Sequence, residues 1–77
     1  MEIDWIACGK RIQTLRESLK LTQEEFAEIV GVSPNSMSRI ERGKQRTTVS
    51  VLRKMARTFR VSIDYLLDGI EVYMDSP

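Results

Sequence analysis

The side chains of this sequence that could do chemistry are mainly cationic, and they are concentrated in one part of the chain. Residues 39–60 contain eight Lys or Arg and one Asp or Glu. By contrast, residues 1–38 contain four Lys or Arg and six Asp or Glu, and residues 61–77 contain four Asp or Glu and no Lys or Arg. A basic segment between two acidic ones is typical of a protein with one surface that meets an anion. A solvated helix face explains these charges equally well.

The groups that most enzymes and metal sites need are scarce. The chain has no His and a single Cys, Cys8. Because histidine is the commonest general base and a frequent zinc ligand, we expect no enzyme, no metal site and no cofactor. A lone cysteine cannot form an internal disulfide, and its position on an apolar helix stripe favours a core role over a redox role.

Length and composition predict one small globular domain. The chain has 77 residues, of which 42% are hydrophobic and 30% charged, enough for one hydrophobic core. We assign residues 1–69 to this domain and residues 70–77 to a C-terminal tail. No apolar run approaches the roughly 20 residues that cross a bilayer, and the first residues lack a signal-peptide pattern, so we expect a cytoplasmic protein.

Two helices are predicted in the first part of the chain. Thr22 and Glu25 form a capping box before a helix of about residues 23–30, which Gly31 ends. An earlier helix can be capped by Asp4. Its apolar stripe, at spacings of three and four, consists of Trp5, Cys8, Ile12, Leu15 and Leu19.

Three further helices follow. Ser33 caps a third helix from about Pro34 to Arg42. After a polar loop, Thr48 caps a fourth helix, and a short fifth helix ends at Gly69. Together these patterns predict an all-α fold, a compact bundle of five short helices.

The second and third helices have the spacing of a helix-turn-helix unit. Gly31, Val32 and Ser33 supply the tight turn that sets one helix across the other, and Ala27 is small enough for the crossing point. In DNA-binding proteins the second helix of such a unit enters the major groove. Similar turns also occur in proteins that do not bind DNA.

A longer set of residues resembles a known family in both order and spacing. The matching positions are Leu21-Thr22-Gln23, Ala27, Gly31-Val32-Ser33, Ser38-Arg39-Ile40-Glu41, Gly43, Ala56 and Val61-Ser62. They resemble the Xre/Cro-type helix-turn-helix family of lambdoid phage repressors and small bacterial regulators, over about residues 9–68. The resemblance implies a sequence-specific transcriptional regulator that binds a roughly palindromic DNA operator as a homodimer.

The resemblance also implies roles for individual residues. The third helix would read bases with Asn35 and Arg39, together with Ser36, Ser38 and Pro34. Phosphates would be bound by Gln23, Arg42, Lys44 and Arg46. The alternative for each of these residues is a solvated surface position, which is our interpretation of Arg53, Lys54, Arg57 and Arg60 on the fourth helix.

Two further sets of residues are assigned structural roles. Relatives pair the positions of Arg16 and Glu41, and we expect an ion pair that orients the third helix. In the tail, Ile70, Val72 and Met74 alternate with polar residues, a pattern that could pair with its copy in a dimer. A disordered tail is the alternative.

A second functional class remains open. The same fold could serve as a protein-interaction module, such as an antitoxin bound to its toxin or an adaptor, and a regulator could also contact RNA polymerase. An adaptor would have no need to keep Gln23, Asn35, Arg39, Arg42, Lys44 and Arg46 on one face.

Overall fold

Five α-helices joined by short turns make up the part of the chain that the computed structural model describes, residues 2–70. They are α1 (Trp5–Ser18), α2 (Gln23–Val30), α3 (Pro34–Glu41), α4 (Val49–Phe59) and α5 (Ile63–Asp68). The predicted all-α five-helix fold is confirmed. The third helix ends one residue earlier than predicted, with Arg42 as its C-cap.

Every helix begins at a polar residue whose side chain accepts a hydrogen bond from the backbone N–H three residues later. These N-caps are Asp4, Thr22, Ser33, Thr48 and Ser62. At α2 the predicted capping box is complete, because Glu25 also accepts from the backbone N–H of Thr22 at 2.9 Å. Each cap satisfies a donor that the helix itself leaves free, typically worth about 1 kcal/mol.

The hydrophobic core lies between the helices and draws on all five of them. Phe26 of α2 and Phe59 of α4 stack with ring centroids 5.2 Å apart, which joins the second helix to the fourth. The buried apolar side chains are Cys8, Ile12, Phe26, Ala27, Val30, Met37, Ile40, Val51, Leu52, Met55 and Leu66. Cys8 is fully buried, as its place on the predicted stripe of α1 requires.

The prediction that the apolar stripe of the first helix extends to Leu19 is wrong. Leu19 is the C-cap of α1 and is 40% exposed, because the helix ends at Ser18 before the stripe reaches it. The chain then turns through Lys20, a non-glycine residue with a φ of 58°.

The last helix is tied to the first by a side chain that satisfies its free carbonyl groups. Arg11 of α1 donates to the carbonyl oxygens of Leu66 and Leu67 at 3.3 and 3.2 Å. A cation at this end of a helix also complements the helix dipole. Ile70 follows α5 and is 56% exposed, whereas the dimer residues predicted beyond it, Val72 and Met74, lie outside the described part of the chain.

Candidate nucleic-acid interface

The turn between α2 and α3 has the geometry of a helix-turn-helix unit. Gly31 takes a φ of 83°, a left-handed conformation that glycine adopts without strain. The N–H groups of Gly31 and Val32 both bond to the carbonyl oxygen of Ala27, at 2.9 and 3.0 Å. Ser33 then caps α3 by accepting from the N–H of Ser36 at 3.0 Å. The turn therefore fixes the direction in which α3 leaves α2.

One side of α3 is anchored in the core and the other faces outward. Met37 is fully buried and Ile40 is 2% exposed. Glu41 at the end of the helix is buried as well. The other positions form what we call the recognition face, consisting of Pro34, Asn35, Ser36, Ser38 and Arg39. Pro34, Asn35 and Arg39 are exposed, and the two serines are half-buried.

Three cations follow the recognition face. Arg42, Lys44 and Arg46 are all exposed. The Nε of Arg42 donates to the carbonyl oxygen of Ser38 at 3.3 Å, which lays this side chain along α3. Within residues 2–70, no carboxylate lies within 4.0 Å of these three cations. Their charge is therefore available to an anionic partner.

A buried carboxylate joins α1, α2 and α3 behind the recognition face. Glu41 has 2% of its side chain exposed and accepts from Arg16 Nε at 2.7 Å and from Arg16 Nη2 at 3.1 Å. Arg16 also donates to the carbonyl oxygen of Leu21 at 2.9 Å. The hydrogen bond to Glu41 is the main reason why the pKa of Arg16 is raised further above its ordinary value. The structure thus joins the two residues that the sequence analysis paired.

Gln23 has a place in this network that the sequence analysis did not anticipate. Its Nε2 donates to Glu41 Oε1 at 2.9 Å, and the side chain is half-buried at the start of α2. The first residue of α2 is thereby linked to the last residue of α3. One N–H of the amide remains for a further partner.

Helices α1 and α3 touch through their backbones at Gly9. A Cβ built on Gly9 would collide with the carbonyl oxygen of Ile40 and would lie 2.7 Å from that of Glu41. Only glycine allows this approach, which sets α3 at its depth against α1.

Gln45 is a polar residue at the interface that sequence reasoning missed. Its Oε1 accepts from Arg39 Nε at 3.0 Å. Gln45 was predicted only as part of a polar loop, and neither its residue type nor the spacing along that loop distinguished it. The recognition face lies on α3, and the three cations lie on the segment that directly follows it.

The cations of α4 form a second exposed group. Together with two hydroxyl side chains they line a shallow groove on this helix, which we call the α4 strip, consisting of Ser50, Arg53, Lys54, Arg57 and Thr58. The α4 strip belongs to a different helix from the recognition face.

Between residues 2 and 70, no group of three or more His, Cys, Asp or Glu side chains comes together where a metal ion could be held. In the same range no helix has the length and apolar character that a membrane crossing needs.

Solved structures with this arrangement include proteins bound to DNA. The P22 c2 repressor in complex with a synthetic operator has a TM-score of 0.76 and 33% identity, over 82% of this chain and 96% of that one. SinR, a master regulator of biofilm formation solved in complex with DNA, has a TM-score of 0.71 and 34% identity, over 79% of this chain and 98% of the SinR chain.

Comparisons of sequence agree with this similarity of fold. Antitoxin PezA of Streptococcus pneumoniae is 39% identical over 84% of this chain and 45% of its own length. The chain spans about half the length of the curated relatives that it matches. A family model described as helix-turn-helix matches residues 12–66. The chain belongs to the Xre/Cro-type helix-turn-helix family.

Proposed function

We propose that this chain is a transcriptional regulator that binds double-stranded DNA with α3 in the major groove. The observation that carries the proposal is the outward position of Asn35 and Arg39, one helical turn apart, on a helix whose Met37 and Ile40 are buried. An arginine fork matches the O6 and N7 acceptors of guanine, and an asparagine amide matches the N7 and N6 groups of adenine. Ser36, Ser38 and Pro34 would contact neighbouring base edges and sugars.

Phosphate contacts would hold α3 in register with the groove. Arg42, Lys44 and Arg46 are exposed cations on the segment that follows α3. Gln23 would bond a phosphate with the amide hydrogen that Glu41 leaves free, at the N-terminus of α2, where the helix dipole favours an anion. Such contacts position the protein and carry no base information.

The proposed assembly is a homodimer on a roughly palindromic operator, working in the cytoplasm. Two recognition helices related by a two-fold axis would enter successive major grooves. The P22 c2 repressor was solved with an operator and SinR with DNA, and these two similar structures support the DNA-binding part of the proposal. Ile70, Val72 and Met74 are the proposed dimer contacts.

Selection of bound DNA from a random double-stranded library tests this function. The expected result is enrichment of an inverted repeat, which would identify the class of protein, its symmetry and its operator together. Failure to enrich any sequence, with no binding to duplex DNA at low salt, would overturn the proposal.

Two substitutions test the assignment of base and phosphate contacts. Arg39→Ala should lose affinity for the operator, keep non-specific binding, and relax preference at one base pair in each half-site by about 1 to 3 kcal/mol. Arg46→Ala should weaken binding to every sequence by about the same factor. A panel of operators with single-base changes separates the two results. If Arg39→Ala instead lowers the affinity for every operator by the same factor, Arg39 contacts a phosphate and not a base.

A second candidate function is supported by one relative. The similarity to antitoxin PezA favours a protein-interaction module, with a toxin as its partner. Co-purification of a bound protein from the native host, combined with failure of the DNA selection, would favour this candidate.

A further inference from the structure

The loop that follows α3 is held firmly against two helices. The N–H of Gly43 bonds to the carbonyl oxygen of Ile40 at 3.1 Å, and the N–H of Lys44 bonds to that of Arg39 at 2.8 Å. Gly43 has a φ of 74°, and a Cβ built there would lie 2.6 Å from the Cα of Ile6 in α1. The backbone that leads into Gln45 is therefore fixed relative to α3.

From this fixed backbone, Gln45 reaches back to the side chain of Arg39. Its Oε1 accepts from Arg39 Nε at 3.0 Å, and Gln45 is half-buried although Arg39 is exposed. Among residues 2–70, no carboxylate lies within 4.0 Å of Arg39. The guanidinium thus has a neutral partner at Nε, and its positive charge, which is shared among the three nitrogens, is not neutralised by that partner.

This contact decides which part of the guanidinium can meet a base. A guanidinium can present a pair of N–H groups either from Nε and one terminal nitrogen or from the two terminal nitrogens. Because Gln45 occupies Nε, the pair that remains for a base is the one on the two terminal nitrogens. That pair fits the O6 and N7 acceptors of guanine.

We propose that Gln45 is a positioning residue that sets the specificity of Arg39 for guanine. It would hold the arginine in one orientation before DNA arrives, so that less side-chain freedom is lost on binding. The inference rests on the proposed base-reading role of Arg39. Immobilising one flexible side chain beforehand is worth about a threefold to tenfold gain in affinity per half-site.

The experiment compares Gln45→Met with Gln45→Glu on the operator recovered by selection. Methionine has a similar length and no acceptor oxygen, so Gln45→Met should lower discrimination at the base pair read by Arg39 by about threefold to tenfold per half-site. Glutamate keeps the acceptor, so Gln45→Glu should keep that discrimination while weakening all sequences alike through its added negative charge. A matched control is Gln13→Met. Gln13 lies on α1, where its Nε2 donates to Glu17 at 3.2 Å, and this substitution should change neither quantity.

A double-mutant cycle with Arg39→Ala gives the decisive comparison. In that background Gln45→Met should have no effect on binding to any sequence. If Gln45→Met lowers affinity equally in both backgrounds, Gln45 contacts a phosphate and the inference is overturned. If Gln45→Met lowers affinity in neither background, the inference is overturned as well. If Arg39→Ala itself changes no base preference, the base-reading role of Arg39 fails and the inference fails with it. If Arg39 reads a base and Gln45→Met leaves that base unaffected, only the inference about Gln45 is wrong.

Discussion

Glu41 is a charged side chain whose environment makes its removal costly. It receives two hydrogen bonds from Arg16 and one from Gln23. Loss of one partner leaves a buried charge uncompensated, and such losses typically cost about 3 to 5 kcal/mol. We expect Glu41→Ala to lower the free energy of unfolding by about 3 kcal/mol, the lower end of that range, because Arg16 keeps its bond to Leu21 and has Glu17 nearby. Urea unfolding measures the difference.

Glu17 provides the control for this prediction. Its carboxylate lies 3.9 Å from the same guanidinium, but its side chain is 58% exposed. Glu17→Ala should therefore change the free energy of unfolding by less than about 1 kcal/mol, as is usual for a surface pair. Equal losses in the two variants would show that burial of Glu41 does not determine the strength of its pairing.

The buried thiol of Cys8 makes the stability of the fold depend on pH. Burial raises the pKa of its thiol, Asp68 raises it further, and Arg11 lowers it. Because the folded-state pKa is raised, the unfolded chain loses the thiol proton at lower pH than the folded chain. This contribution to stability is therefore complete below the ordinary thiol pKa and is lost as pH rises towards the folded-state pKa.

The measurement is urea unfolding of the wild type and of Cys8→Ala at several pH values. Between pH 6 and 8 the difference in unfolding free energy should be constant. Above about pH 9 the wild type should lose up to about 1.4 kcal/mol per pH unit relative to Cys8→Ala. Parallel curves throughout would mean that the thiol ionises equally in both states.

Single residues of the interface differed in how far the sequence could predict them. Asn35 and Arg39 could be placed outward because Met37 and Ile40 have the helical spacing of buried positions. The link from Gln23 to Glu41 and that from Gln45 to Arg39 could not be predicted. Both join residues from different elements, and such contacts depend on where the elements cross.

At the level of helices, the sequence was most informative at the N-termini. The caps form hydrogen bonds within a few residues, so local chemistry is enough to place them. The C-terminus of α1 was harder to predict, because the apolar spacing continues to Leu19 although the helix has already ended at Ser18. The burial of Thr47 was also hard to predict, because it lies in a polar loop yet is 6% exposed. Its hydroxyl has no hydrogen-bond partner among the described residues.

The contact between α1 and α3 predicts the effect of adding one methyl group. At Gly9 a Cβ would meet the backbone carbonyl oxygens of Ile40 and Glu41, which cannot move without moving α3. We expect Gly9→Ala to destabilise the fold by about 1 to 3 kcal/mol, as overpacking typically does. This loss would come in spite of the roughly 1 kcal/mol by which alanine exceeds glycine in helix propensity.

Thr14→Ala on the exposed side of the same helix is the control. It also improves helix propensity and adds no atom that could meet a neighbour, so it should leave stability unchanged or slightly higher. Thermal unfolding of both variants measures the two effects separately. A Gly9→Ala protein as stable as the wild type would mean that α1 and α3 can separate without cost.

For the whole molecule, the distribution of charge matters more than its sum. The net charge is only +1, yet exposed cations form two groups, one on the segment after the recognition face and one on the α4 strip. Binding to DNA releases counterions in proportion to the phosphates that are neutralised. The dependence of affinity on salt therefore reports which surface faces the DNA.

If each subunit of a dimer neutralises about four phosphates, the slope of log affinity against log salt concentration should be about −7. Lys44 and Lys54 allow a matched comparison, because both are exposed lysines, one after the recognition face and one on the α4 strip. Lys44→Gln should make the slope shallower by about 1.8, one phosphate in each subunit, whereas Lys54→Gln should leave it unchanged. Titrations of operator DNA at several salt concentrations measure both slopes.

A wild-type slope shallower than about −3 would mean that the basic segment does not face DNA. The reverse pattern for the two lysines would place the DNA against α4, and α3 would then not be the recognition helix.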